Sequence, residues 1–139
     1  LKTYLLRYRA QSAGAQRIAE WLMSSSAVAR VHYPGLPEHP GHALARRQMQ
    51  DFGTVVSFDL HGGAEAGRRF AEALQLFATA ASLGATESLV LPPQMLGHQD
   101  LTPEQRAAAG LASGTVRLSI GLEDVDDLLA DLRQALNAC

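Results

Sequence analysis

Lysine is almost missing. Lys2 is the only one in 139 residues, so any chemistry that needs an internal amine as nucleophile or proton shuttle has a single residue to draw on. Cysteine is equally scarce. Cys139 stands alone, which excludes an internal disulfide and a Cys-x-x-Cys redox pair, and makes a reducing cytoplasm the expected compartment. No Gly-x-Ser-x-Gly nucleophile elbow is present. No apolar run approaches the length of a membrane span, and no charged-then-apolar leader precedes the first helical pattern. Neither charge sign dominates: 12 basic against 14 acidic side chains give a formal net charge of −2. That balance supplies no electrostatic reason to expect nucleic acid or an anionic membrane as a partner. Internal repeats and low-complexity tracts are absent too. What remains is a chain long enough for one core over residues 1–139 and too short for two. It opens on Leu1-Lys2-Thr3 without an initiator methionine and is expected to be a piece of something longer.

The pattern alternates helices and strands. Leu1, Leu5, Tyr8, Ala15, Ile18, Ala19 and Leu22 recur at helical spacing and predict a long first helix, ended by Ser24-Ser25-Ser26. A strand is predicted over Val28–Tyr33, closed by Pro34-Gly35, then a proline-rich loop and a short helix near Gly41–Gln48. In Thr54–Leu60, Val56, Phe58 and Leu60 face one way, and Ser57 and Asp59 the other. His61-Gly62-Gly63 leads into a helix carrying Ala66, Phe70, Leu74 and Phe77 on one face. Thr79–Leu83 and Ser88–Leu91 read as short extended pieces around Gly84. Thr102-Pro103-Glu104-Gln105 has the makings of a capping box. Thr115–Ile120 is the clearest strand. Asp124–Leu136 is a helix with Val125, Leu128, Leu129, Leu132 and Leu136 inward, and acids at its positive end. The expectation is one sheet with the first and last helices on its apolar face. Pattern alone leaves α/β and α+β open and does not set the strand order.

Few side chains suggest chemistry. His39 and His42, with Glu38 beside them, supply zinc-compatible donors, but a proline-rich loop lacks the frame that fixes such ligands, and a surface loop is the expected outcome. His61-Gly62-Gly63 before a helix offers free amides for a phosphate, yet lacks the lysine and hydroxyl of a P-loop, and is expected to be a plain turn. Cys139, at the chain end, is expected to be an idle thiol. Arg117 is different. Alternation puts Val116, Leu118 and Ile120 on one face of its strand, with Thr115, Arg117 and Ser119 on the other. Two readings stand side by side: a rigidly held guanidinium that grips a carboxylate with two bonds, or an exposed arginine at a sheet edge.

Several ordered motifs resemble one family. Val31-His32-Tyr33-Pro34-Gly35-Leu36-Pro37-Glu38-His39-Pro40-Gly41-His42 is similar to the YPGLPxHPxH segment of the Cys/Met-metabolism enzymes that depend on pyridoxal 5'-phosphate (PLP), and the match continues through Arg47-Gln48-Met49, Phe52-Gly53 and Val56-Ser57-Phe58. Ser82-Leu83-Gly84 with Glu87-Ser88-Leu89 resembles the family's SLGGxES stretch. Val116-Arg117-Leu118-Ser119-Ile120-Gly121-Leu122-Glu123-Asp124 resembles its VRLSVGLED ending. The resemblance runs the whole length and identifies the chain as the C-terminal domain of a cystathionine γ-synthase/γ-lyase, methionine γ-lyase or O-acylhomoserine sulfhydrylase-like enzyme.

The resemblance implies a small α/β (α+β) sandwich with a mainly antiparallel sheet and helices packed on it. It implies a parent enzyme, usually a homotetramer, performing γ-elimination or γ-replacement on a sulfur amino acid or O-acylhomoserine substrate. The PLP and its Schiff-base lysine would belong to the parent's own N-terminal domain, so this chain alone would carry no catalytic residue and be inactive. By motif, Arg117 and Ser82 would hold the substrate α-carboxylate, with Leu83 and Gly97 lining the pocket. The departures bear on substrate. Gly97 replaces a threonine, Pro92 a histidine and Ala85 a glycine; Ala81 replaces an acidic residue, which puts a γ-lyase or sulfhydrylase substrate with a smaller or less polar side chain on a par with cystathionine. A stand-alone carboxylate-binding module and a structural dimerisation domain are the rival readings.

Overall fold

The computed structural model describes residues 2–96 and 101–139. The chain begins with α1 (Tyr4–Met23), β1 (Val28–His32), α2 (His42–Gln48), β2 (Val55–Leu60) and α3 (Gly63–Ala73). It continues with β3 (Ala78–Thr79), β4 (Leu89–Leu91), a 3-10 turn at Pro93–Met95, α4 (Pro103–Ala108), β5 (Thr115–Ser119) and α5 (Val125–Leu136). Five strands form one sheet in the order β1-β2-β5-β4-β3. The pairs among β1, β2, β5 and β4 are antiparallel, and only β3 runs parallel to its neighbour β4. The mainly antiparallel α/β sheet implied by the motifs is therefore present.

Alternation decides which face is core. Val56, Phe58, Val116, Leu118 and Val90 are wholly buried, and they form one cluster with Ala15, Ile18, Ala19 and Leu22 of α1. Each aliphatic side chain fully buried there contributes about 2 kcal/mol from removed apolar surface. The same cluster takes in Ala66 and Phe70 of α3 and Leu128, Leu132, Ala135 and Leu136 of α5. Phe70 meets Phe58 edge-on at 5.5 Å between ring centroids, which seats α3 on β2. Three helices thus cover the apolar face. α1 and α3 touch the strands, and α5 packs against both of those helices. The expected two-helix cover is completed by α3.

Local signals start α4 and α5 where the residues say they should. Thr102 and Gln105 close the capping box reciprocally, at 2.8 Å and 3.3 Å, ahead of α4. Asp124 is the N-cap of α5, its carboxylate accepting from the Asp126 amide at 2.8 Å. Two expectations need correcting. The apolar stripe of α1 enters the core only from Gln11 onward, and Leu5 stays 51% exposed. The third helix stops at Ala73, so Leu74 and Phe77 lie beyond it; Phe77 is nonetheless buried. Among the described residues no helix is long and apolar enough to cross a membrane.

Candidate functional site

The other face of the sheet carries the polar side chains. Directly paired residues on antiparallel strands share a face. The pairs His32 with Ser57, Ser57 with Arg117, and Arg117 with Leu91 therefore form one row across β1, β2, β5 and β4. The next row joins Arg30, Asp59 and Thr115. Arg117 thus stands mid-sheet, flanked by strands on both sides, with Val116 and Leu118 at 0% exposure anchoring its strand from behind.

Its guanidinium meets the loop between β3 and β4. Nη2 of Arg117 donates to the Ser82 carbonyl at 3.0 Å, although the two residues are 35 positions apart. Among the described residues Arg117 has no acidic partner, and its buried Nε has no hydrogen-bond partner at all. A buried N–H is costly without an acceptor, so Nε is a donor that no protein group among the described residues uses. Ser82 and Leu83 are exposed above it, Leu83 at 58%. Ser119, one strand position along on the same face, accepts from the Gly84 amide at 3.0 Å through Oγ. Gly84 turns the loop with a φ of 76°, a left-handed conformation that glycine adopts without steric cost. Together these contacts leave an open polar patch with a half-free planar cation, an exposed serine and amides of a tight loop. That arrangement suits a carboxylate.

Of the residues singled out in the sequence, Ser82, Leu83 and Arg117 come together. Gly97 lies outside the described residues. In the proline-rich loop, His42 Nδ1 is 2.7 Å from the Pro34 carbonyl, and His39 Nδ1 accepts from the Gly41 amide at 3.0 Å. Among the described residues, no three His, Cys, Asp or Glu side chains converge on a metal-sized site. The His61-Gly62-Gly63 segment is a turn into α3, with Gly63 at a φ of 66°. The thiol of Cys139 sits 3.4 Å from the Ala135 carbonyl, and partial burial pushes its pKa up, away from reactivity.

Sequence reasoning missed the polar group beside the patch. His32 Nε2 lies 2.7 Å from Asp59 Oδ2, and the Thr115 hydroxyl donates to Asp59 Oδ1 at 2.5 Å. Burial pushes the Asp59 pKa up, but the bonds from His32 and Thr115, with the charge of Arg30 nearby, outweigh it and hold the carboxyl below its usual range. Alternation already placed Asp59 on this face. The missing signal was the register that brings it to His32. Ser88 and Glu123 were missed as well, as supports of the Ser82 loop.

Residues 1–137 match the family described as Cys/Met metabolism PLP-dependent enzyme. The chain is 51% identical over 138 residues to L-methionine gamma-lyase of Pseudomonas putida, covering 99% of this chain and 35% of that protein. It is 45% identical over 138 residues to O-succinylhomoserine sulfhydrylase of Pseudomonas aeruginosa, again covering 99% of this chain and 34% of that protein. Its fold superposes on cystathionine gamma synthase from Xanthomonas oryzae pv. oryzae with a TM-score of 0.91 and 47% identity, over 99% of this chain and 36% of that one. The chain thus spans about a third of the length of the relatives it matches.

Proposed function

This chain belongs to the Cys/Met metabolism PLP-dependent enzymes, and from that premise we propose that its role is to hold the α-carboxylate of an amino-acid substrate through Arg117 and Ser82. The observation that carries the reading is the arginine itself: fixed on a central strand, lacking an acidic partner among the described residues, and touching the Ser82 loop through only one of its nitrogens. A carboxylate arriving from the solvent side would take the unused guanidinium donors, and the Ser82 hydroxyl would be within reach of its second oxygen. Clamping that group fixes which bond at the substrate Cα faces the reacting centre, a positioning effect worth several kcal/mol. Leu83, and Gly97 by motif, would line the same edge.

PLP, when bound, supplies an electron sink for charge developing at Cα. The residues of this chain do not fit the cofactor. Lys2 is its only lysine, exposed and lying ahead of α1. Gln11 of that helix reaches the Ala85 carbonyl, and Lys2 is nine positions before it, outside the helix. The cofactor and its lysine therefore fall to the remainder of a parent enzyme. That parent, by resemblance a cytoplasmic homotetramer, would be a lyase or transferase acting on sulfur amino acids or O-acylhomoserines. Ala81, exposed and uncharged, favours a side chain smaller or less polar than that of cystathionine. Similarity at 43–51% identity along the whole chain, to proteins all named as enzymes, favours this reading over a free-standing carboxylate module or a dimerisation domain.

The test is steady-state kinetics of the full-length protein on methionine, cystathionine and O-acylhomoserines, wild type against Arg117→Ala. The variant should keep its cofactor absorbance while kcat/KM falls about 100-fold, the cost of losing a bidentate charged contact, with KM rising. The 139-residue chain alone, supplied with PLP, should form no product. Unchanged kinetics in the variant would refute the carboxylate role, and saturable turnover by the isolated chain would refute the division of labour.

A further inference from the structure

The Ser82 loop is held from one short stretch of chain. Arg117 donates to the Ser82 carbonyl at 3.0 Å, and Ser119 Oγ accepts from Gly84 at 3.0 Å. The Leu122 amide donates to the Thr86 carbonyl at 2.7 Å. Among the described residues, the Gln11 bond to Ala85, at 2.7 Å, and the Ala78 amide's bond to the Ser88 carbonyl, at 3.0 Å, come from elsewhere. The last rung is the most elaborate. Glu123 folds back so that Oε1 accepts from the Ser88 amide at 2.7 Å and Oε2 from the Ser88 hydroxyl at 2.8 Å. That hydroxyl in turn accepts from the Gly121 amide at 2.8 Å.

Three features show that this rung is built for position. Ser88 is completely buried, so its hydroxyl has no water to fall back on. Among the described residues Glu123 pairs with no cation, and its bonds go only to Ser88. Gly121 leaves the room: a Cβ there would stand 2.3 Å from Glu123 Oε2 and 2.5 Å from both the Ser88 amide nitrogen and the Thr86 carbonyl oxygen. A half-buried carboxylate that meets only the end of one loop sets where that loop lies.

We propose that Glu123, acting through Ser88 in the gap left by Gly121, is a positioning residue that fixes the height of the Ser82 loop over Arg117 and so tunes affinity for the substrate carboxylate. The inference rests on the reading of Arg117 and Ser82 as that carboxylate's site. Glu123 touches no substrate itself. Its loss frees the Ser88 amide, lets the loop lift at that end, and separates Ser82 from the guanidinium that it now meets.

Two small amines isolate the effect in the full-length holoenzyme. Glycine carries a carboxylate and methylamine does not, and binding of either is followed by the change in cofactor absorbance. The wild type should prefer glycine, and Arg117→Ala should abolish that preference. Glu123→Ala should lower it about tenfold, the scale of one hydrogen bond to a charged group, with methylamine binding unchanged. Glu123→Gln, which can still accept from the Ser88 amide and donate to its hydroxyl, should restore most of it. Ser88→Ala should lower it as well, and carries the test if Glu123→Ala does not fold. If Arg117→Ala abolishes the preference while Glu123→Ala and Ser88→Ala keep it, or weaken both amines equally, the positioning role is wrong and the carboxylate site stands. If Arg117→Ala keeps the preference, the site reading falls and this inference falls with it.

Discussion

Asp59 sits between opposed influences, and their balance has a measurable sign. Burial disfavours its charge, whereas His32, Thr115 and the nearby Arg30 favour it, and the net effect lowers its pKa below the ordinary 3.8. A carboxyl whose folded pKa lies below its unfolded value adds stability above the unfolded pKa and loses that stability as pH falls through the folded one. The window therefore opens near pH 4 and extends downward. Urea midpoints measured between pH 6 and pH 3 should drop at the acid end, and Asp59→Asn should flatten that drop. Asp59→Ala should cost about 2 kcal/mol at pH 7, since it removes the partner of His32 and leaves the Thr115 hydroxyl only the Ala112 carbonyl. An acid limb equally steep in Asp59→Asn would show that other carboxyls govern it.

Among the elements, α3 shows best where periodicity misleads. The apolar spacing Ala66, Phe70, Leu74, Phe77 is good helix pattern, yet Leu74 adopts extended backbone at φ −65° and ψ 139° and the helix ends. The reason comes from α5, more than 50 residues away. Asp131, 6% exposed, accepts from the Gln75 amide at 2.9 Å and from the Leu76 amide at 2.8 Å, while Gln134 donates to the Ala73 carbonyl at 2.7 Å. These bonds give the freed backbone groups partners that continued helix would otherwise supply. No local pattern announces such a contact. By contrast the strand faces, the Thr102 capping box and the Asp124 cap were legible, because each depends on residues within a few positions of one another. Asp131→Ala should leave two amides short of an acceptor and lower stability by about 2–3 kcal/mol in urea unfolding, and Asp131→Asn by less. A change below about 0.5 kcal/mol for the alanine variant would remove Asp131 from this account.

At the scale of the whole molecule, α1, α3 and α5 share the core on one side of the sheet and the polar row lies on the other, the face we propose meets substrate. The alternation of β5 foretold which side Arg117 occupies. It did not foretell that Ser82 would lie there, because the order β1-β2-β5-β4-β3 and the fold of the loop before β4 are set by long-range pairing. Motif resemblance joined the two residues by analogy, and the 3.0 Å contact joins them in space. For the His32–Asp59 pair, alternation placed Asp59 on this face, but no motif marked the pairing, which the register of β1 on β2 brings about.

The most direct measurement is a crystal structure of the full-length holoprotein with L-norleucine, an amino acid that has the carboxylate but no leaving group. Both carboxylate oxygens should lie within hydrogen-bond distance of the Arg117 guanidinium and the Ser82 loop, with Arg117 Nε or Nη1 newly partnered. A carboxylate seated on other residues, with Arg117 bonded to the Ser82 carbonyl as now and to nothing else, would contradict it.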